Sequence, residues 1–167
     1  RDEIVKSGGS SSILVGDLDD REACVAQVQA IMQQKPIHIL INNTGGPPSG
    51  SLIEATELDF AQAFNRHVLA AHHMTRILLP AMIEAGYGRI INILSTSVYE
   101  PIPNLGVSNT IRGAMASWAK SLSRELPPKI TVNNVLPGYT DTERLAVLQN
   151  KQAIRNGVSP KEIQEKW

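Results

Sequence analysis

Four short apolar runs, separated by stretches of helical periodicity and followed by loops of small polar residues, constrain this chain more than any other feature. They are Ile13–Val15, Ile37–Ile41, Arg89–Leu94 and Ile130–Leu136. The second is nearly continuous, the pattern of a strand buried on both faces. After the first run, Ala23, Val25, Val28, Ile31 and Met32 recur at helical spacing behind Asp19 or Asp20, either of which can cap the helix. Pro36 is expected to end that helix. Thr56 with Asp59 predicts a capping box that opens a helix to about Ala85, bent or divided at Pro80. A further helix is expected from about Leu105 to Leu126, stopped by Pro127-Pro128. Arg1–Lys6 reads as the end of a helix closed at Gly9, and a polar helical segment completes the chain. Strands alternating with helices at this spacing predict an α/β fold, a doubly wound parallel sheet with helices on both faces.

The 167 residues suit one domain with its own core. Sixteen basic residues balance sixteen acidic ones without a basic run, so neither nucleic acid nor an anionic membrane is an expected partner. The longest apolar runs fall well short of the ~20 residues that span a bilayer. A single cysteine, Cys24, has no partner for an internal disulfide, which points to a reducing, cytoplasmic setting. It sits on the amphipathic second helix and reads as a small buried residue. His67, His72 and His73 share one helix at spacings that do not converge on one ion, so no metal is expected. Both ends of the chain fall inside helical patterns, and residues are expected beyond each of them.

In open α/β sheets ligands bind beyond the carboxyl ends of the strands. That rule singles out Asp17, Asn42–Gly46, Ser95–Ser97 and Pro137–Thr142, all small, polar or glycine-bearing segments. From the residues alone each keeps a plainer reading. Asn42–Gly46 and Pro137-Gly138 are good turns, and Asp17 is a good helix cap.

At these positions the chain resembles the short-chain dehydrogenase/reductase family, in the subgroup related to β-ketoacyl-carrier-protein reductase. Ile39-Leu-Ile-Asn-Asn-Thr-Gly45 is similar to the family's strand with its Asn-Asn-Ala-Gly turn, Thr44 replacing Ala. Gly16-Asp17-Leu18 resembles the strand end that contacts adenine. Gly88-Arg-Ile-Ile-Asn-Ile-Leu-Ser95 resembles the strand ending in the catalytic serine. Ile130-Thr-Val-Asn-Asn-Val-Leu-Pro-Gly138 with Thr142 resembles the Pro-Gly-x-x-x-Thr segment along the nicotinamide. Asn65 matches the catalytic asparagine. The resemblance implies a single Rossmann-type NAD(P)-binding domain over 1–167. Its first two strands, the glycine-rich phosphate turn and its C-terminal end are absent from the sequence. It also implies a homodimer or homotetramer, with Phe60 and Trp118 near the subunit contact.

One departure bears on the chemistry. Where the family has Tyr-x-x-x-Lys, this chain reads Ser108-Asn-Thr-Ile-Arg112. The resemblance implies a reaction between a ketone and a secondary alcohol with NAD or NADP. Asn65, Ser95, Ser108 and Arg112 would be catalytic. Asp17, Leu18, Asn43, Thr44, Gly45, Arg112, Pro137, Gly138 and Thr142 would contact the cofactor. Ser108 and Arg112 stand one helical turn apart, so the replaced pair keeps its geometry. Arg112 still offers fixed positive charge, but a serine hydroxyl is a far weaker acid than tyrosine with its pKa of ~10. Three substitutes for the proton donor are open: Ser108 relaying a proton from water, Tyr139 from the Pro-Gly loop, and Tyr99 from the serine loop. The other reading is a dinucleotide-binding sensor or assembly subunit with little turnover. Read only as a polar residue and a surface cation, Ser108 and Arg112 carry no chemistry.

Overall fold

The computed structural model describes residues 1–165, the side chains of Glu143 and Arg144 excepted. Trp167, with which the polar C-terminal segment was expected to end, lies outside the described residues. The elements run α1 (Asp2–Lys6), α2 (Arg21–Met32), β1 (Ile39–Asn42), α3 (Glu57–Phe64), a π turn (Asn65–Leu69), α4 (Ala70–Glu84), β2 (Gly88–Ile93), α5 (Gly106–Glu125), β3 (Ile130–Val135), α6 (Glu143–Asn156) and α7 (Pro160–Gln164). The three strands pair in parallel in the order β1-β2-β3, with Asn42 opposite Asn92 and Asn92 opposite Asn134. This is the expected Rossmann-type α/β arrangement.

Several helix ends follow from single residues. Asp20 caps α2 by accepting from the Ala23 amide, and Thr56 with Asp59 forms the full capping box of α3. α1 is capped at Ser7, and Gly8 at φ +86° takes the left-handed position expected at Gly9. α2 stops at Met32, four residues before Pro36. Pro80 is accommodated inside α4 and does not divide it. The break in α-helical geometry comes earlier, at the π turn, where no residue type announces it.

The sheet's two faces differ. Ile90, Ile130, Leu40 and Val132 lie under Leu78 and Met82 of α4, Leu122 of α5, and Val28 and Met32 of α2. Ile90 and Met82 are fully buried, each contributing roughly 1.5–3 kcal/mol of transfer free energy. Closer to the strand ends, Leu94 packs with Val68, Ala71, Val107, Ile111 and Met115 of the helices. On the covered face Asn92, fully buried, accepts from the Asn42 amide and donates to Asn134, both at 2.9 Å. This amide ladder satisfies polar groups that burial would otherwise leave unpaired. On the opposite face Ile39 and Ile41 are 51% and 59% exposed. β1 is thus an edge strand open on one face rather than one buried on both, because no described element packs there.

The expected strand at Ile13–Val15 does not form. The segment is irregular, with Val15 84% exposed, and side chains of α2 meet its carbonyls: Gln27 bonds Val15 and Cys24 bonds Asp17, each at 3.2 Å. A strand needs a neighbour for its amides, and the described residues offer it none.

Candidate active site

Parallel pairing sends the three carboxyl ends of the strands to one edge of the sheet. There the Leu94 amide donates to the Val135 carbonyl at 2.8 Å and the Thr96 amide to Pro137 at 3.2 Å, tying the serine loop to the Pro-Gly loop. Over this edge opens a cavity of about 570 Å³. Asn43, Thr44 and Gly45 line it from the first turn, Ser95 from the second, and Pro137, Gly138 and Thr142 from the third. Ser108 and Arg112 enter from α5.

Each of these side chains is held by local structure. Ser95 Oγ accepts from the Ser97 amide at 3.1 Å. Ser108 is buried and lies in the first turn of α5. The start of α5 sits close against Leu52, where a Cβ on Gly106 would stand 2.6 Å from the Leu52 Cα, so only glycine fits without a shift. Arg112, one turn later, donates from Nη1 to the Ile93 carbonyl at 2.7 Å, fixing its guanidinium at the end of β2. Thr142 caps α6 through a bond from the Leu145 amide at 3.3 Å.

Ile102 and Leu105 before α5, and Leu145, Leu148 and Gln152 on α6, complete the wall. The Asn109 amide donates to the Ile102 carbonyl at 2.9 Å and holds that loop over the helix. Arg155 bonds Asn104, tying α6 to the same loop. Of the two tyrosines considered as donors, Tyr139 lines the cavity, whereas Tyr99 does not and is 84% exposed.

Three expected site residues stay outside. Asn65 donates to Asp19 at 2.6 Å and accepts from Arg21, while Arg66 pairs with Asp19 at 2.8 Å. These bonds dock the start of α2 on the π turn and engage the Asn65 side chain away from the cavity. Arg66 and then Asn65 hold the Asp19 carboxyl below its ordinary pKa, and Asp19 in turn raises that of Arg66. Asp17 is exposed and accepts from the Asp19 amide at 3.0 Å. Leu18 lines a separate space of about 40 Å³. With no strand at Ile13–Val15, no sheet pairing carries Asp17 and Leu18 to the carboxyl edge, and Leu18 reaches only the small space behind it.

The profile of the short chain dehydrogenases matches residues 1–153. The chain belongs to that family. Among curated short chain dehydrogenases and their kin it is similar to ketoacyl reductase HetN of Nostoc sp., 31% identical over 149 residues, 86% of this chain and 51% of that one. It is 35% identical over 136 residues to dehydrogenase/reductase SDR family member 4 of Sus scrofa, 80% of this chain and 48% of that one. The chain therefore spans about half the length of these relatives. A solved tryptophan variant of actinorhodin polyketide ketoreductase with NADPH superposes with a TM-score of 0.87 at 26% identity, over 97% of this chain and 64% of that one. Among the described residues no helix is long and apolar enough to cross a membrane. Nor do any three His, Cys, Asp or Glu side chains there group to hold a metal ion.

The cavity has room for part of the family's dinucleotide. A Cβ on Gly45 would meet nothing within 4 Å, and one on Gly138 only Thr96 at 4.0 Å, so the backbone there is open to close approach by a planar group. Arg112 adds a fixed cation beside it.

Proposed function

We propose that this protein is an NAD- or NADP-dependent oxidoreductase that interconverts a ketone and a secondary alcohol through an atypical site. The observation that carries the reading is the convergence of Ser95, Ser108, Arg112, Pro137 and Gly138 on one cavity. The residues 1–167 form a single Rossmann-type domain of a longer chain, related to the β-ketoacyl-carrier-protein reductases. It works in the cytoplasm as a homodimer or homotetramer, with Phe60 and Trp118 near the contact.

When bound, the dinucleotide supplies or accepts the hydride. Asn43, Thr44, Gly45, Arg112, Pro137, Gly138 and Thr142 hold its nicotinamide half. Ser95 donates a hydrogen bond to the substrate oxygen and stabilises the charge that grows there. Arg112 bonds the ribose and keeps positive charge at the reacting edge. Ser108 passes a proton from water to that oxygen, in place of a tyrosine. Ile102, Leu105, Leu145 and Leu148 give the substrate an apolar wall and exclude water. Asn65, docked on Asp19 and Arg21, serves as an anchor rather than as a reacting group.

The serine at position 108 favours a second reading, a dinucleotide-binding sensor or assembly subunit without turnover. Titrating full-length protein with NADH and NADPH by fluorescence, then following absorbance against a ketone panel, separates the two. Binding with steady oxidation is the expected result. Tight binding without oxidation of any ketone favours the sensor, and no binding removes both.

A further inference from the structure

His67 is 4% exposed on the π turn, and its Nδ1 lies 2.6 Å from the Thr44 hydroxyl. Thr44 belongs to both spaces at the strand ends, lining the 570 Å³ cavity and, with His67, Asn42 and Arg112, the 40 Å³ space behind it. That smaller space is large enough for a water, with Asn42, Thr44, His67 and Arg112 as polar residues among its mostly apolar walls. Thr44, with Ile93, Leu94 and Arg112, therefore stands between a buried imidazole and a site whose usual proton donor is replaced by serine.

We propose that Thr44 and His67 form a proton-carrying pair for the reacting cavity. This rests on the reductase reading above. Reduction places hydride on the carbonyl carbon and requires one proton for the oxygen. A protonated Nδ1 donates to Thr44 Oγ, which leaves the threonine's own proton directed into the cavity. Transfer moves that proton from Thr44 to the nascent alkoxide, directly or through the Ser108 hydroxyl and water. The His67 proton passes to Thr44 in the same step, and the imidazole becomes neutral. Solvent then reprotonates it, and oxidation runs the steps in reverse. Histidine suits this because its charge changes between about pH 5 and 8, where serine and threonine stay protonated.

Arg112, from α5, is the charged residue among those described that line the small space. The walls from α4 (Ala70, Ala71 and Met74) and from the end of β2 and the residue after it (Ile93 and Leu94) carry no charge. On the π turn itself the neighbouring Arg66 pairs with Asp19.

The test uses full-length protein and a ketone that the wild type reduces. His67→Gln keeps an amide in place of the ring but does not titrate. It is expected to lower kcat on the order of 10²-fold and flatten the kcat profile between pH 5.5 and 8, with the NADPH or NADH dissociation constant within about twofold of wild type. Thr44→Val should show the same loss of kcat and the same flattened profile, and Thr44→Ser should restore both. Without substrate or cofactor, the ¹⁵N shift of the His67 ring should report one ionisation, displaced in Thr44→Val. Unchanged rate and profile in His67→Gln would overturn the pair. So would parallel loss of rate and cofactor affinity, which would make the bond a pin for the turn. If the wild type binds cofactor and reduces no ketone, the reductase reading fails and takes this pair with it. Turnover with an unaltered profile removes the pair alone.

Discussion

The carboxyl edge of the sheet and the strip from Ser7 to Asp20 belong to the same chain and carry the same kind of sequence signal, yet only the first is ordered by pairing. Ser95 and Pro137 are placed by backbone bonds between neighbouring strands. Asp17 and Leu18 follow an apolar run of equal promise, but Ile13–Val15 has no strand beside it and its side chains face water. An apolar run becomes a strand when a neighbour satisfies its amides. The site residues that depend on such a neighbour are gathered, and those that lack one are not.

The largest effect that would break this contrast is at the amide ladder. Asn92→Leu leaves the Asn42 side-chain amide and the Asn134 Oδ1 unpaired against an apolar side chain, each such group costing about 1–3 kcal/mol. A loss of about 3 kcal/mol in urea unfolding is expected. A loss under about 1 kcal/mol would mean that the ladder does not hold the strand ends in register. Next comes Ser108→Ala, expected to slow kcat about 10²-fold while cofactor affinity holds. Equal losses in both would make Ser108 part of the cofactor cradle instead.

Asn65→Ala sharpens the comparison from the other side. Its side chain docks α2 on the π turn, so the unfolding midpoint should fall while kcat changes far less than in Ser108→Ala. Turnover slowed as strongly as in Ser108→Ala would return Asn65 to the reacting group. The same dock responds to acid. Arg66 and Asn65 hold the Asp19 carboxyl below its unfolded value, so its contribution is complete above about pH 4 and is lost as pH falls through the depressed value. Asp19→Asn should remove that part of the acid sensitivity of the α2 attachment, followed by amide exchange of α2. Identical acid profiles would show that the pair is solvated in solution.

The elements with their own punctuation were readable from sequence. Thr56 and Asp59 announced α3, the prolines at 127 and 128 announced the end of α5, and β2 and β3 appeared within a residue of the expected limits. The small polar loops after the strands became the cavity lining, since parallel topology fixes which ends converge. What was not readable depends on long-range placement. The π turn has no residue signature. The orientation of Asn65 is set by Asp19 and Arg21, both more than forty residues away. The Thr44–His67 contact could be suspected only from Thr44 standing where the family has alanine.

The smallest expected effect is the most exposed test of the contrast. Val15→Ser in an ordinary buried strand would cost 2 kcal/mol or more, through lost burial and a polar group taken out of water. Here the side chain is 84% exposed, and only the Val15 carbonyl is engaged, by Gln27. The substitution keeps that carbonyl, so stability in this chain should change by less than about 0.5 kcal/mol. Gln27→Ala should then loosen the strip more than Val15→Ser does, read as faster amide exchange at Asp17–Asp20. If Val15→Ser proves the more damaging of the two, the run is packed in solution as a strand. Asp17 and Leu18 would then be carried to the carboxyl edge, and the two regions would follow one rule.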